Sequence, residues 1–470
     1  MAEVPNLIKL RQIPADYAQR LDTDLLETST FSEASASKGG FARFDIQPKG
    51  FLHSQSKLFL SCVPPAGACV FPLNVGIGTL IDRAVLKVGN QVLNEISDWS
   101  HFQTLRSTQI DNEAQVEREH YLTGRCINHR WLYQQDAAGN ADLQTHRAPF
   151  YGLDTGRDYG LTGAGAEGLN LESMPVAQLI AAAPEQSPVY SISMDDLFPF
   201  LKVHSLPLYM IKEPLYIELH LSTTGVRVVS PAGVAAQNVL LDTSETKFAA
   251  DYIFYTDGDV MTRYAEENKD LEFTFPDYRL SKRSVSQADL AGGVVANIGM
   301  ANRLVSRVFT TLTDDTRTQV SILGKYEMEA PQKTAGSTNN SSGAIEYNVR
   351  YNDRFEFPIS IDNKARAFSH FIQSDGPLFV TREEYSNDQQ GITAAEFDGH
   401  AQSGGPGADG IAGKFFVLGT KLTSGRVGTR GIEIHLKAQG YRAANYTMRS
   451  YSEYMRLAKL SDGRFSIFNA

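Results

Sequence analysis

Short runs in which apolar and polar residues alternate dominate this chain. Ile217, Leu219 and Leu221 alternate with Glu218 and His220, and Ile432, Ile434 and Leu436 alternate in the same way with Glu433 and His435. A period of two is that of a strand with one face buried and the other wet. The same reading predicts strands at 41–46, 57–62, 80–88, 252–254, 272–275, 304–312, 345–351, 355–361 and 414–418, separated by clusters of Gly, Pro, Asn, Asp and Ser. Helical pattern is scarce. One helix is predicted to start near Asp98, with Trp99, Phe102, Leu105 and Ile110 on one face and Asp98 as its cap. Many short strands with few helices mean a sandwich or a barrel.

Three short blocks occur twice in the same order. ISMDD (192–196) is matched by ISIDN (359–363), IELHL (217–221) by IEIHL (432–436), and AADY (249–252) by AANY (443–446). Ordered repetition with conservative exchanges predicts duplication of a whole domain. The spacing from the first block to the second is longer in the second copy, and that from the second to the third is longer in the first. Such differences belong on surface loops, where closure entropy grows slowly with length. The Gly-rich stretches within 136–187 and 373–430, and the Gly/Ser/Asn/Thr stretch 333–342, are read as tall loops that crown the barrels and clasp adjacent copies.

Length fits that picture, since 470 residues hold two all-β domains of about 200 residues plus an arm. The expected division is an N-terminal arm at 1–30, a first domain at 31–265 and a second at 266–470. In the arm, Leu7, Ile8, Leu10, Leu21, Leu25 and Leu26 are placed on short helices. Hydrophobic residues make up 42%, enough for a packed core and too many for a disordered chain.

Net charge is −10, which argues against a protein whose main work is wrapping nucleic acid. Local basic excess at Arg279, Lys282 and Arg283, and at Arg442, Arg449, Arg456, Lys459 and Arg464, is read as solvated surface or contacts between subunits. Cys62, Cys69 and Cys126 leave one over however they pair, and Cys62 falls in an apolar strand pattern as a small buried thiol. With no charged leader and no apolar run near the ~20 residues that cross a bilayer, folding in a reducing compartment is expected. The sequons at Asn339, Asn340 and Asn445 are then expected to stay unused.

Catalytic signatures are weak. GAGAEG (163–168) fits the dinucleotide pattern in spelling but follows loop sequence instead of a buried strand, so it is read as a surface loop. Neither a phosphate-binding GxxxxGK[ST] loop nor a GxSxG elbow is present. Glu218 with His220, and Glu433 with His435, have a spacing that can hold a metal, as in a two-domain cupin. The pattern turns them away from the apolar face, and neither copy has a second His nearby. They are read as polar residues at a domain or subunit contact. Glu117 and His120, three apart, are read as an ion pair. No catalytic, cofactor-binding or metal-binding residue is assigned.

The stretches GGFARFDIQPKGFLHSQSKLFLSCVPP (39–65), IGTLIDRAVLKVGNQVLNEISD (77–98) and SISMDDLFPFL (191–201), the last followed by PLYIELHL, resemble double jelly-roll major capsid proteins. That lineage includes adenoviruses, nucleocytoplasmic large DNA viruses, virophages and polinton-like elements. The resemblance implies an all-β fold of two tandem eight-stranded jelly-roll barrels with long loop insertions and few short helices. It implies a structural protein, not an enzyme: a homotrimeric, pseudo-hexagonal capsomer in the icosahedral shell of a virion. Implied partners are neighbouring capsomers, minor capsid and penton proteins and, on the inner side, an internal membrane or the genome, without sequence-specific nucleic-acid binding and without a cofactor. The acidic balance departs from the basic floor such a base would offer DNA. Two other classes share the architecture: a metal-dependent bicupin-type enzyme and a jelly-roll carbohydrate-binding or attachment protein.

Overall fold

In a computed structural model the chain forms two sandwiches joined side by side. The structure describes residues 19–27, 40–63, 75–107, 122–123, 189–203, 206–222, 240–241, 245–255, 258–315, 326, 328, 331, 345–375, 416–423, 425–441 and 444–469. The first sandwich contains β1 (Gln19–Leu26), β2 (Phe41–Ile46), β3 (Phe51–Leu52), β4 (Lys57–Val63), β5 (Ile81–Val88), β6 (Gln91–Ser97), β7 (Val189–Ser193), β8 (Leu206–Pro207), β9 (Leu215–Leu221), β10 (Leu240–Leu241) and β11 (Lys247–Tyr255). The second contains β12 (Asp270–Ser286), β13 (Val294–Gly299), β14 (Val305–Asp314), β15 (Ile345–Tyr351), β16 (Arg354–Phe355), β17 (Leu418–Lys421), β18 (Ile432–Ala438), β19 (Asn445–Ser461) and β20 (Arg464–Asn469). Helices α1 (Trp99–Ser107), α2 (Met194–Leu197), α3 (Pro199–Val203), α4 (Gly258–Glu267), α5 (Gln287–Gly292) and α6 (Lys364–Asp375) are short.

Every pairing between these strands is antiparallel, and the two halves repeat one topology. A four-stranded sheet ordered β2-β9-β5-β6 in the first half corresponds to β13-β18-β15-β16 in the second. The facing sheet carries β1, β11, β3 with β4, and β7 in one half and β12, β19, β14 and β17 in the other. The inward rows are apolar: Phe44 of β2 meets Phe248 of β11 across the first core at 6.1 Å between ring centroids. In the second core, Tyr347 of β15 hydrogen-bonds Thr420 of β17 at 3.0 Å. Burying such faces is the main stabilising term, at roughly 25 cal/mol per Å².

The duplication is present, but the repeated blocks mark it unevenly. IELHL lies in β9 and IEIHL in β18, the same position in equivalent sheets. AADY and AANY fall on equivalent strands at different heights, for Tyr252 pairs with Leu52 while Tyr446 pairs with Asp314 at the end of β14. ISMDD and ISIDN are not equivalent. The first ends β7 and enters α2, whereas the second precedes α6, the counterpart of α1. The longer segment between that helix and the next strand therefore lies in the first half, at 108–188 against 376–417, the reverse of the expected assignment. The extra length between the second and third blocks is in the first half as expected.

Other expectations are corrected locally. Gln19–Leu26 is not helical: all eight residues pair with β11, from Gln19 opposite Tyr255 to Leu26 opposite Phe248. The strand predicted at 355–361 reduces to Arg354–Phe355 and a single bridge from Ile361 to Tyr347. The stretch 373–430 is not one loop, since it holds the end of α6, β17 and the turns that lead to β18. The predictions on Glu117, His120, Cys69, Cys126, Asn339, Asn340 and residues 163–168 lie outside the described residues. Among the described residues no helix is long and apolar enough to cross a membrane.

Register fixes the end at which the long connecting segments leave and re-enter the sheets. Asp314 pairs with Tyr446, Ile345 with Ala438 and Leu418 with Thr310, so 316–344, 376–417 and 439–444 all depart from one end of the second sandwich. In the first, Val63 pairs with Leu240 and Ile81 with Leu221, which places 64–74 and 223–239 at one end likewise.

Candidate functional site at the seam between the sandwiches

The join between the halves is built from α1 and β6 on one side and β12 and β19 on the other. Trp99, Phe102 and Leu105 recur every three residues, and all three are buried as predicted. The Phe102 ring lies 4.7 Å from that of Tyr278 and 5.6 Å from that of Tyr451. Further along, Phe200 of α3 stands edge-on to Phe275 of β12 at 4.7 Å. Aromatic contacts of this kind add about 0.5–1.5 kcal/mol each beyond the area they bury.

Two carboxylates are enclosed within this apolar join. Asp98 sits just ahead of α1 with φ +53°, and its carbonyl accepts the Phe102 N–H at 3.0 Å. Its carboxylate is committed to side chains: Oδ2 accepts from Arg449 Nε at 2.7 Å and from Lys282 Nζ at 2.8 Å, and Oδ1 meets His101 Nδ1 at 2.8 Å. Burial opposes ionisation of Asp98, but His101, Arg449 and Lys282 together hold the carboxyl well below the ordinary aspartate range. Burial and the Arg449 cation push the His101 imidazole down to about 4, so it is neutral at pH 7 and donates from Nδ1. Tyr326 of the second half closes the ring edge-on at 4.8 Å.

The second carboxylate, Asp277 in β12, receives Asn94 Nδ2 at 2.7 Å, the Tyr278 N–H at 2.9 Å, Tyr454 Oη at 3.0 Å and Arg456 Nη1 at 2.7 Å. Arg456 also donates to the Leu93 carbonyl at 3.3 Å. Burial pushes the Asp277 carboxyl up against the pull of Arg456 and the other donors.

These contacts orient the halves. Ascending β6 from Leu93 to Ser97, and on to Asp98, matches ascending β12 from Asp277 to Lys282 and following β19 from Arg456 to Arg449. The sandwiches therefore stand upright in the same sense, with the ends from which those segments depart together. The β19–β20 hairpin turns through Asp462 and Gly463, both at positive φ as a two-residue turn demands, and the Gly463 carbonyl accepts the Lys212 N–H of the first half at 2.9 Å.

Glu218, His220, Glu433 and His435 lie elsewhere, on the outer faces of the four-stranded sheets. Lys87 Nζ reaches Glu218 at 2.6 Å and Arg83 reaches His220 Nε2 at 3.0 Å, while Arg350 lies 3.5 Å from Glu433. Burial and Arg83 push the His220 imidazole down. Each carboxylate faces a cation from the adjoining strand. Among the described residues no three of His, Cys, Asp and Glu gather closely enough to hold a metal ion.

Of the basic residues noted in the sequence, Lys282, Arg449 and Arg456 belong to the seam. The partners Asp98 and Asp277 were missed as seam residues. Asp277 did leave a signal: it continues the inward row Leu271, Phe273, Phe275, so a charge stands in the phase of the core.

Two like sandwiches, fused upright and parallel, can be compared with solved structures. The capsid of PBCV-1 virus matches over 97% of this chain and 98% of that one with a TM-score of 0.56 at 11% identity. The fold is a double jelly roll. The mavirus major capsid protein matches over 97% of this chain and 91% of its own, with a TM-score of 0.52 at 10% identity. The Faustovirus major capsid protein gives 0.52 at 7% identity, covering 95% of this chain and 91% of that one. No family model and no curated protein sequence matches the chain. The double jelly roll thus extends over nearly the whole chain, a likeness of fold at sequence identities of about a tenth.

Proposed function

We propose that this chain is a major capsid protein, the structural subunit of the icosahedral shell of a double-stranded DNA virus, with its place in the virion and no catalytic role. The observation that carries this reading is the pair of equivalent sandwiches standing in the same sense, matched over nearly their full length by capsid proteins. Three such chains place six like barrels in a ring, so a trimer mimics a hexagonal tile while each chain meets its neighbours through closed, designed contacts. The loops at the common end face outward. The opposite end and the residues ahead of β1 face the interior, neighbouring capsomers and minor capsid or penton proteins.

Size-exclusion chromatography with light scattering, followed by negative-stain imaging, tests the reading. A trimer with a pseudo-hexagonal outline is expected, and a stable monomer at micromolar concentration would overturn it. Residues 1–18 act as an arm beneath a neighbour. Their removal should leave the trimer intact and impair shell formation, and unchanged assembly would reject that role.

A further inference from the structure

A cavity of about 400 Å³ opens along the seam, walled by β6 of the first sandwich and by β12, β19 and the β13–β14 turn of the second. Its charged lining is Glu95, Asp277, Arg279, Arg303 and Arg456. Both carboxylates are already occupied, Asp277 by Arg456 at 2.7 Å and Glu95 by Arg83 at 3.2 Å. Arg303 lies over the Tyr454 ring at 4.7 Å, which fixes its guanidinium plane without neutralising it. Among the described residues neither Arg303 nor Arg279 has an acidic partner. The recess thus holds two guanidinium groups, Arg279 exposed and Arg303 half-buried, that have no carboxylate of their own among the described residues, in a chain whose net charge is −10. A cleft that gathers one sign of charge between low-dielectric walls focuses its field and raises the local concentration of anions.

We propose that this cavity is a binding site for a phosphate group. The planar donor forks of Arg279 and Arg303 suit the tetrahedral oxygens of phosphate, and the cavity has room for more than one such group. The Arg303 turn lies at the end of the second sandwich opposite the one from which 316–344 and 376–417 depart, so the site lies toward that opposite end. A bound phosphate would bridge Arg279 of β12 and Arg303 of the β13–β14 turn beside the seam. The group can come from free phosphate or diphosphate, or from a phospholipid headgroup. The proposal stands on the cavity and not on the capsid reading, so a monomeric protein that binds phosphate would separate the two.

The test is calorimetric titration of the full chain with inorganic phosphate and with diphosphate, against chloride at equal ionic strength, beside thermal melts. Saturable binding is expected, with a midpoint that rises with phosphate concentration because the ligand holds the folded state. Arg279→Gln with Arg303→Gln, the first exposed and the second half-buried and both outside the core, should weaken binding about tenfold or more while leaving the ligand-free midpoint near its original value. The exposed Arg20→Gln should change nothing. Wild-type protein that shows no phosphate-specific heat or shift, or a double variant that binds as tightly, would overturn the proposal. Co-flotation with phosphatidic acid vesicles, compared with phosphatidylcholine alone, distinguishes the sources: capture that needs both arginines points to a headgroup, and binding of free phosphate without capture points to a soluble ion.

Discussion

Asp98 of the first sandwich and Arg449 of the second meet at 2.7 Å with side chains only 8% and 10% exposed, so the two halves share one buried ion pair. Removing Asp98 leaves the Arg449 guanidinium buried without its carboxylate, and removing Arg449 leaves Asp98 to Lys282 and His101 alone; loss of one member of a buried pair typically costs about 3–5 kcal/mol. Asp98→Asn and Arg449→Met should each destabilise by that amount in denaturant titration. The double variant should cost much less than the two together, because the second change removes the orphan left by the first. Strict additivity would mean that the two residues do not act as a unit.

The same cluster sets a pH dependence. His101 is held neutral in the fold, with its pKa pushed down to about 4, while in the unfolded chain it titrates near 6.5. Below about pH 6.5 the unfolded chain therefore takes up a proton that the folded chain refuses, and stability falls until the folded imidazole also protonates near pH 4. The loss over that window amounts to about 3 kcal/mol. Asp98, held below the ordinary aspartate range, adds a loss that starts as the unfolded carboxylate protonates and grows toward lower pH. Denaturant midpoints measured from neutral pH down to about pH 4.5 should slope downward in the wild type. His101→Asn should flatten the upper part of that slope, and an unchanged slope would show that another group is responsible.

Why some of this was legible in the sequence and some was not follows from how many faces each strand buries. β9 and β18 cover a core on one side only, so Ile217, Leu219 and Leu221 alternate visibly with Glu218 and His220, and their counterparts do the same. β19 is enclosed on both sides through its middle, by its own core and, from Arg449 to Arg456, by the first sandwich. Alternation disappears there, and Arg449, Ser450, Ser452 and Glu453 are buried beside Tyr451. The pairing of Gln19–Leu26 with β11 is long-range and leaves Leu21 and Leu25 exposed at 60% and 61%, so no local pattern announced a strand. ISMDD and ISIDN resemble each other because both lead from extended chain into a helix, a shared local requirement and not a shared position. The seam needed the tertiary fold, since Asp98 and Arg449 are brought together across most of the chain.

Gly431 offers a backbone test of the second sandwich. It has φ +78°, and a Cβ there would run into the carbonyl oxygen of Gly299, itself at φ +77°, where β13 joins β18. Gly431→Ala should therefore cost about 2–3 kcal/mol, combining a strained conformation with a clash that only backbone movement relieves. Gly292 at the end of α5 has nothing within 4 Å of such a Cβ, so Gly292→Ala should stay within about 0.5 kcal/mol of the wild type. Thermal melts of the two variants check the contrast, and equal effects would refute the steric argument.

The outward Glu and His pairs give the last test. A divalent ion at Glu218 would have to displace Lys87 from 2.6 Å and tolerate Arg83 beside His220, and one at Glu433 would meet Arg350. Cations already in place repel a metal and satisfy the carboxylates, so dialysis against a chelator should leave the thermal midpoint unchanged, as should added zinc or manganese. Glu433→Gln should cost less than about 1 kcal/mol, because both members of its pair with Arg350 stay about a third exposed and water replaces the lost partner. A midpoint that rises with metal in the wild type and not in Glu433→Gln or Glu218→Gln would instead make these pairs ligands and revive the metal-dependent reading.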